Sequence, residues 1–406
     1  MTRVPSERAI VFLVGAVQFV NILDFMIVMP LGPDFARALD IAPSHLGYIG
    51  GSYTAAACVT GLLGSLFLDR FDRRSALGVA MLGLVVGTAM GGFATGLGTL
   101  LAARVIAGAF GGPATSISLS IIADVVPAER RGRAMGAVMT AFTLASIFGV
   151  PAALELAQRA DWRLPFFSVA ALGLVLAALA VFLLPPLRGH LDRAGTRADE
   201  PTLGEMLRRP TVVLSYLATV VTSVGMFALI PNISGYVQNN LHYPREHLGR
   251  LYGYGGAVTF AVLRVAGPLV DRFGPTRVAA PSTLLTAIVV YIGFLMVPPP
   301  IPVVLVFVGF MASTGFRNVA LNTLASRVPQ PVERARFMSI QSAAQHAACA
   351  VGAFLSSRIL GTDARGALTH MDQVAWFTVA MILTLPLLMY RVERATTVTP
   401  PISPAG

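Results

Sequence analysis

Ser65-Leu66-Phe67-Leu68-Asp69-Arg70-Phe71-Asp72-Arg73-Arg74 is a dense charged stretch between two long apolar runs. It returns about 200 residues later as Gly267-Pro268-Leu269-Val270-Asp271-Arg272-Phe273-Gly274-Pro275-Thr276-Arg277, the mark of an internal repeat. Both copies hold Asp-Arg-Phe, with a small residue four places before the Asp. A second echo keeps the same offset: Val126-Pro127-Ala128-Glu129-Arg130-Arg131 is answered by Val328-Pro329-Gln330-Pro331-Val332-Glu333-Arg334. Two echoes in one register make the chain a duplicated unit whose halves meet across residues 187–210.

Outward from the charged stretch, the chain is overwhelmingly apolar: 55% of its 406 residues are hydrophobic and 12% charged. Apolar runs of about 20 residues recur along it, each long enough to cross a bilayer core. In lipid only helices satisfy their own backbone within one segment. The expected fold is an all-α integral membrane protein with twelve transmembrane helices in two pseudo-symmetric six-helix halves. The runs fall near 9–31, 46–68, 75–96, 99–123, 134–157 and from Trp162 to just before Pro185-Pro186. The second set falls near 211–237, 248–270, 277–297, 302–325, 336–358 and 373–391. The expected divisions are 1–186 for the first half, 187–210 for a linker rich in Arg, and 211–395 for the second half. Residues 396–406, rich in Thr and Pro, are an expected disordered tail.

The formal net charge is +10, and all 30 basic residues are Arg. In a soluble protein that balance would suggest nucleic acid; here it sets topology. Arg crowds the loops on the side of the N-terminus, as at Arg70, Arg73, Arg74, Arg130, Arg131, Arg133 and the linker. This positive-inside pattern puts both termini in the cytoplasm of a multi-pass inner-membrane protein. The two cysteines, Cys58 and Cys349, lie in spans of opposite halves and imply no disulfide or metal framework. Ala36-Arg37-Ala38 imitates a leader cleavage site, but the run before it is too long for an ordinary leader, so it is read as the first span.

With these features the chain resembles the major facilitator superfamily. The charged stretch is similar to that family's Gly-x-x-x-Asp-Arg-x-Gly-Arg-Arg signature between helices 2 and 3, with Ser65 and Asp72 in place of its two glycines. Arg104-Val105-Ile106-Ala107-Gly108 resembles the helix 4 motif of proton-coupled members. Gly149-Val150-Pro151 resembles a Gly-Pro motif of antiporters. Asp161-Trp162-Arg163-Leu164-Pro165-Phe166-Phe167 and Pro30-Leu31-Gly32-Pro33 are similar to segments of drug exporters. The resemblance is to the twelve-helix drug/proton antiporter branch, which includes arabinose-efflux-like permeases. It implies a cytoplasmic gate at Asp69, Arg70, Arg73, Arg74, Asp271, Arg272 and Arg277, in which Asp69 and Arg73 hold the halves together in an outward-open state. The other reading of these charges is topology alone.

The residues themselves nominate a site. Asp24 is the only carboxylate well inside a span. It lies about 22 Å along the first span, and Arg104 lies about 8 Å into the fourth from the opposite side, so the two sit at nearly equal depth. The pair reads either as a structural tie between helices or as a proton site. Burial disfavours a charged carboxylate and a nearby cation favours it, so separating the pair would promote protonation. Gln18 and Asn21 share a broad face with Asp24. Gln341, Gln345 and His346 cluster in the eleventh span, and Arg317, Asn318 and Asn322 in the tenth. Together they read as a polar cavity between the halves, or singly as interhelical hydrogen bonds. Arg317 has no evident carboxylate at its depth and suits an anionic or hydroxyl-rich substrate. A Gly-x-x-x-x-Gly-Lys loop is impossible without Lys, and no Ser/His/Asp set stands out. The expected protein is therefore a transporter that exports a small organic molecule against protons, in the lipid bilayer, as a monomer, with no cofactor, no metal and no nucleic acid. A proton-coupled importer, or a sensor of the same fold, is the alternative.

Overall fold

Each apolar run coils into a helix because lipid offers its backbone no partner. The computed structural model describes residues 6–67, 71–187, 203–330 and 333–398. The first half comprises α1 (Glu7–Ile27), α2 (Leu46–Phe67), α3 (Arg73–Gly92), α4 (Leu97–Val125), α5 and α6 (Arg163–Leu183). In α5, Ala128–Leu144 and Val150–Arg159 are joined by a π-helical turn at Ala145–Gly149. Pro151 explains the wide turn: it lacks an N–H, and its ring would strike the carbonyl four residues earlier in a regular helix. The second half comprises α7 (Pro210–Leu229), α8 (Leu248–Phe273), α9 (Pro275–Val290), α10 (Val303–Ser326), α11 (Arg334–Ile359) and α12, which is Met371–Leu383 continued after Thr384 by Leu385–Val398.

Eleven helical segments among the described residues are long and apolar enough to cross a membrane. The twelfth, α11, has 26 residues but carries Gln341, Gln345 and His346 among small side chains. It packs between α2 of the first half and α7 of its own. Leu203–Leu207 in the linker forms a short helix, and Thr396–Val398, expected to be disordered, continue α12. The remainder of the linker, and the tail beyond Val398, lie outside the described residues.

The first helix of each half ends earlier than its apolar run. α1 stops at Ile27 before Pro30, and a separate helix follows at Gly32–Ala38. α7 stops at Leu229, turns through Pro231, and is followed by a helix at Ile233–Asn239. These two short helices meet at the far face, the end of the bundle opposite the start of α1. Ser234 Oγ donates to the Pro30 carbonyl at 3.0 Å across the halves. Beside it Arg245, in the loop before α8, grips Asp34 of the first half: Nε lies 2.8 and 2.9 Å from the two carboxylate oxygens and Nη2 2.6 Å from Oδ2.

Below this cap the halves touch along two seams. α2 meets α11 so closely that a Cβ at Gly47 would overlap the Ala353 carbonyl. α8 meets the π-helical turn of α5, where a Cβ at Gly256 would stand 2.8 Å from the Ser146 carbonyl. Small residues at such crossings let backbones approach within the membrane. Toward the face that holds the start of α1, the terminal face, these helices instead carry exposed apolar side chains: Leu62 and Leu63 on α2, Phe142 on α5, Phe260 and Leu263 on α8, Met338 on α11. Among the described residues the halves meet at the far face and along these seams, and diverge toward the terminal face.

Candidate functional site

The site is built where α1, α2, α3 and α4 converge. Asp24, on α1, is 0% exposed, and Arg104, on α4, 1%. Their side chains form a two-pronged pair: Arg104 Nη1 donates to Asp24 Oδ1 and Nη2 to Oδ2, each at 3.1 Å. Thr88 of α3 donates to Asp24 Oδ1 at 2.7 Å. Two isolated charges at this depth would each cost several kcal/mol, and a fork-to-carboxylate pair with a third donor offsets most of that. The guanidinium also lies over the Tyr53 ring of α2, 4.7 Å from its centre.

One turn before Asp24, Asn21 ties the same helices together. Its Nδ2 donates to Thr115 Oγ1 at 2.7 Å and to the Gly111 carbonyl at 2.9 Å, both on α4. Tyr53 OH donates to Asn21 Oδ1 at 3.0 Å. Gln18, a further turn down α1, is buried, and its Oε1 has no partner among the described residues. The face of α1 read from sequence as polar is therefore turned into its own half, and at Asn21 and Asp24 it is hydrogen-bonded there.

The second half holds a different kind of charge. Arg317 on α10 is wholly buried, with Nη1 donating to Thr286 Oγ1 of α9 at 3.4 Å. Its Nε and Nη2 have no partner among the described residues, and neither do the hydroxyls of Thr283 and Thr314, one turn away on α9 and α10. Asn318 and Asn322 on the same helix are exposed, so the guanidinium and the two amides do not share one surface. On α11, Gln341 is buried with an unpartnered Oε1, His346 is half-buried and Gln345 exposed. Arg264, in the inner part of α8, is exposed and stacks on the Phe260 ring at 4.7 Å rather than joining Asp271.

Of the expected gate, Asp69 and Arg70 lie outside the described residues. Arg73 is buried at the start of α3 and pairs with Asp124 at the end of α4, within one half, at 3.4 Å. Arg74 reaches the Leu184 carbonyl at 3.4 Å. Asp271 faces Arg327 at 3.8 Å, Arg272 stacks on Phe273, and Arg277 is exposed. Among the described residues these contacts are all made inside a half.

A family model described as Major Facilitator Superfamily matches residues 14–353 and 215–403. The chain belongs to that superfamily. Among curated members it is 29% identical to the inner membrane transport protein YdhP of Escherichia coli K12, over 53% of this chain and 54% of that protein, about half the length of that relative. It is 26% identical to a chloramphenicol resistance protein of Streptomyces lividans, over 82% and 84% of the two chains. The fold of a bacterial homologue of the lysosomal transporter Spinster matches with a TM-score of 0.74 at 16% identity, covering 97% of this chain and 98% of that one. The major facilitator fold thus has twelve helices in two halves here, in a multi-pass membrane protein.

Sequence reasoning missed Thr88 and Tyr53 as partners of the charged pair, and Thr115 as a partner of Asn21. A signal for Thr88 exists: α3 runs parallel to α1, and Thr88 lies about as far along α3 as Asp24 lies along α1. Depth counting at 1.5 Å per residue would have nominated it.

Proposed function

We propose that this major facilitator protein is a secondary transporter that exports a small organic molecule across the cytoplasmic membrane in exchange for protons. The observation that carries this reading is the buried Asp24–Arg104–Thr88 cluster in a fold whose described residues diverge between the halves toward one face. Ionisable groups at that depth mark ion pathways, because their cost is otherwise unrewarded. Asp24 accepts the proton, and Arg104 holds its charged form until the pair separates. We read the Arg-rich terminal face as the cytoplasmic one; on that reading the protein opens inward and loads its cargo from the cytoplasm. Alternating access then moves the opening to the far face. Kinship with a chloramphenicol resistance protein supports export and a drug-sized cargo. Asn318, Asn322, Gln345 and His346 offer that cargo polar contacts, and Arg317 favours an anionic or neutral polar one over a cation. The reading needs no cofactor and works in a monomer.

Everted membrane vesicles test it. An acid interior should drive uptake of the exported compound, and collapsing the pH gradient should stop it. Uptake driven by an alkaline interior would reverse the assigned direction. No flux of any compound under either gradient would favour a sensor of the same fold.

A further inference from the structure

We propose that Tyr53 is a positioning residue that transmits the charge state of the Asp24–Arg104 pair to the seam between the halves. The inference rests on the proton-coupled reading above and adds the route by which coupling reaches the moving interface. Tyr53 touches every part such a route needs. Its ring carries the Arg104 guanidinium, 4.7 Å from the ring centre. Its hydroxyl is fixed by Asn21, one turn from Asp24 on the same helix. Its ring meets Phe25, the residue after Asp24, at 5.2 Å between centres. Phe25 in turn stacks on Phe227 of α7 at 6.1 Å, which belongs to the other half. The chain Arg104–Tyr53–Phe25–Phe227 therefore leads from the pair across the interface. Phe25 and Phe227 are half-buried, so they sit where the closed and parted regions meet.

The backbone at Tyr53 is equally constrained. A Cβ at Gly108 of α4 would overlap the Tyr53 carbonyl, so α2 and α4 move together at this crossing. Two residues away, a Cβ at Gly51 would stand 2.5 Å from the Phe354 ring of α11 in the second half. A displaced Tyr53 cannot leave the α2–α11 seam unaffected.

The driving force is simple electrostatics. While Asp24 is charged, Arg104 is shared between a carboxylate and the Tyr53 ring. Once Asp24 takes a proton, only neutral acceptors remain on Asp24, and the ring becomes a larger share of what holds a desolvated guanidinium whose Nε already has no partner. The group must shift, and the ring on which it rests shifts with it. The titratable groups facing Asp24 are Arg104 of α4 and Tyr53 of α2. α3 presents Thr88, α5 presents Gly149 and Ser146, and α6 presents Gly173 to α1, none of which titrates here.

The test places spin labels at Ala38→Cys and Arg365→Cys, exposed far-face positions in opposite halves, with Cys58 and Cys349 replaced by Ala. Distances are recorded in mildly acidic and mildly alkaline buffer. The parent protein should show a pH-dependent change in the far-face distance, and Asp24→Asn should abolish it. Tyr53→Leu should also lose the change while still releasing a proton to a pH dye when the buffer is made alkaline, a separation that a merely structural role would not produce. Tyr53→Phe keeps the ring and should retain at least half of the response, so a folding defect in the Leu protein cannot mimic the result. A full response in Tyr53→Leu would overturn the inference and leave the proton site intact. No response in the parent would overturn both readings.

Discussion

Replacing Asp34 by Ala should tip the protein toward a state open at the far face. Arg245 makes three hydrogen bonds to the Asp34 carboxylate, at 2.6, 2.8 and 2.9 Å, and both side chains are largely shielded, at 14% and 19% exposed. Exposed pairs of this kind contribute at most about 1 kcal/mol, whereas stripping one partner from a buried pair costs about 3–5 kcal/mol. A shielded bidentate pair at the rim falls between, at about 2 kcal/mol. The contact bridges the two halves and exists only while the far face is shut. Its loss therefore changes the ratio of far-closed to far-open molecules by about 30-fold, since 1.4 kcal/mol is a factor of ten. Arg245→Ala should shift the balance in the same direction: Arg37 still satisfies Asp34 at 3.1 Å, but the further inter-half bond from Arg245 to the Leu154 carbonyl at 3.3 Å is lost as well. The far-face label pair at positions 38 and 365 reads the populations directly. A distance distribution in Asp34→Ala that matches the parent would refute the assignment of this pair as a latch.

Gly256→Val should also disfavour far-face closure, because its Cβ would stand 2.8 Å from backbone atoms of Ser146 and Ile147; overpacking of this kind costs about 1–3 kcal/mol, and the same label pair should report a more open far face. Arg317→Met should raise the melting temperature of the purified protein, because an apolar side chain of similar length replaces a buried guanidinium with two unpartnered nitrogens, removing a desolvation cost of several kcal/mol that no carboxylate among the described residues offsets. A lower melting temperature would mean that Arg317 is compensated. The same variant should lose transport of anionic compounds more than of neutral ones, which a panel of labelled compounds in vesicles would check.

The architecture was legible because the bilayer leaves so few solutions. A run of about 20 apolar residues has one stable form in lipid, and the repeated Asp-Arg-Phe fixed the pairing of the halves. Asp24 and Arg104 were legible for the same reason, since counting residues from opposite ends placed them at one depth. What could not be read were contacts that carry no cost in the sequence. Thr88 and Tyr53 are ordinary residues in apolar spans until a charge lies beside them. Asp34 and Arg245 stand 211 positions apart, one in the short helix after α1 and the other in the segment before α8, where any charge is already explained by topology. Arg264 stands seven residues before Asp271 on one helix, yet its guanidinium turns back onto Phe260 and Asp271 is met by Arg327 from another helix. The ends of α1 and α7 were overestimated because Pro30 and Pro231 interrupt runs whose hydropathy continues across the break.

The most direct test of the account compares the parent protein with Asp24→Asn in proteoliposomes by two assays on one preparation. Asparagine keeps the shape of the side chain and an oxygen for Arg104 and Thr88, but it cannot exchange a proton. The account predicts that Asp24→Asn still exchanges labelled for unlabelled substrate in counterflow, while uphill accumulation driven by a pH gradient falls to background. Accumulation by the Asn protein at the parent's rate, with the parent's dependence on pH, would contradict the claim that Asp24 couples protons to transport.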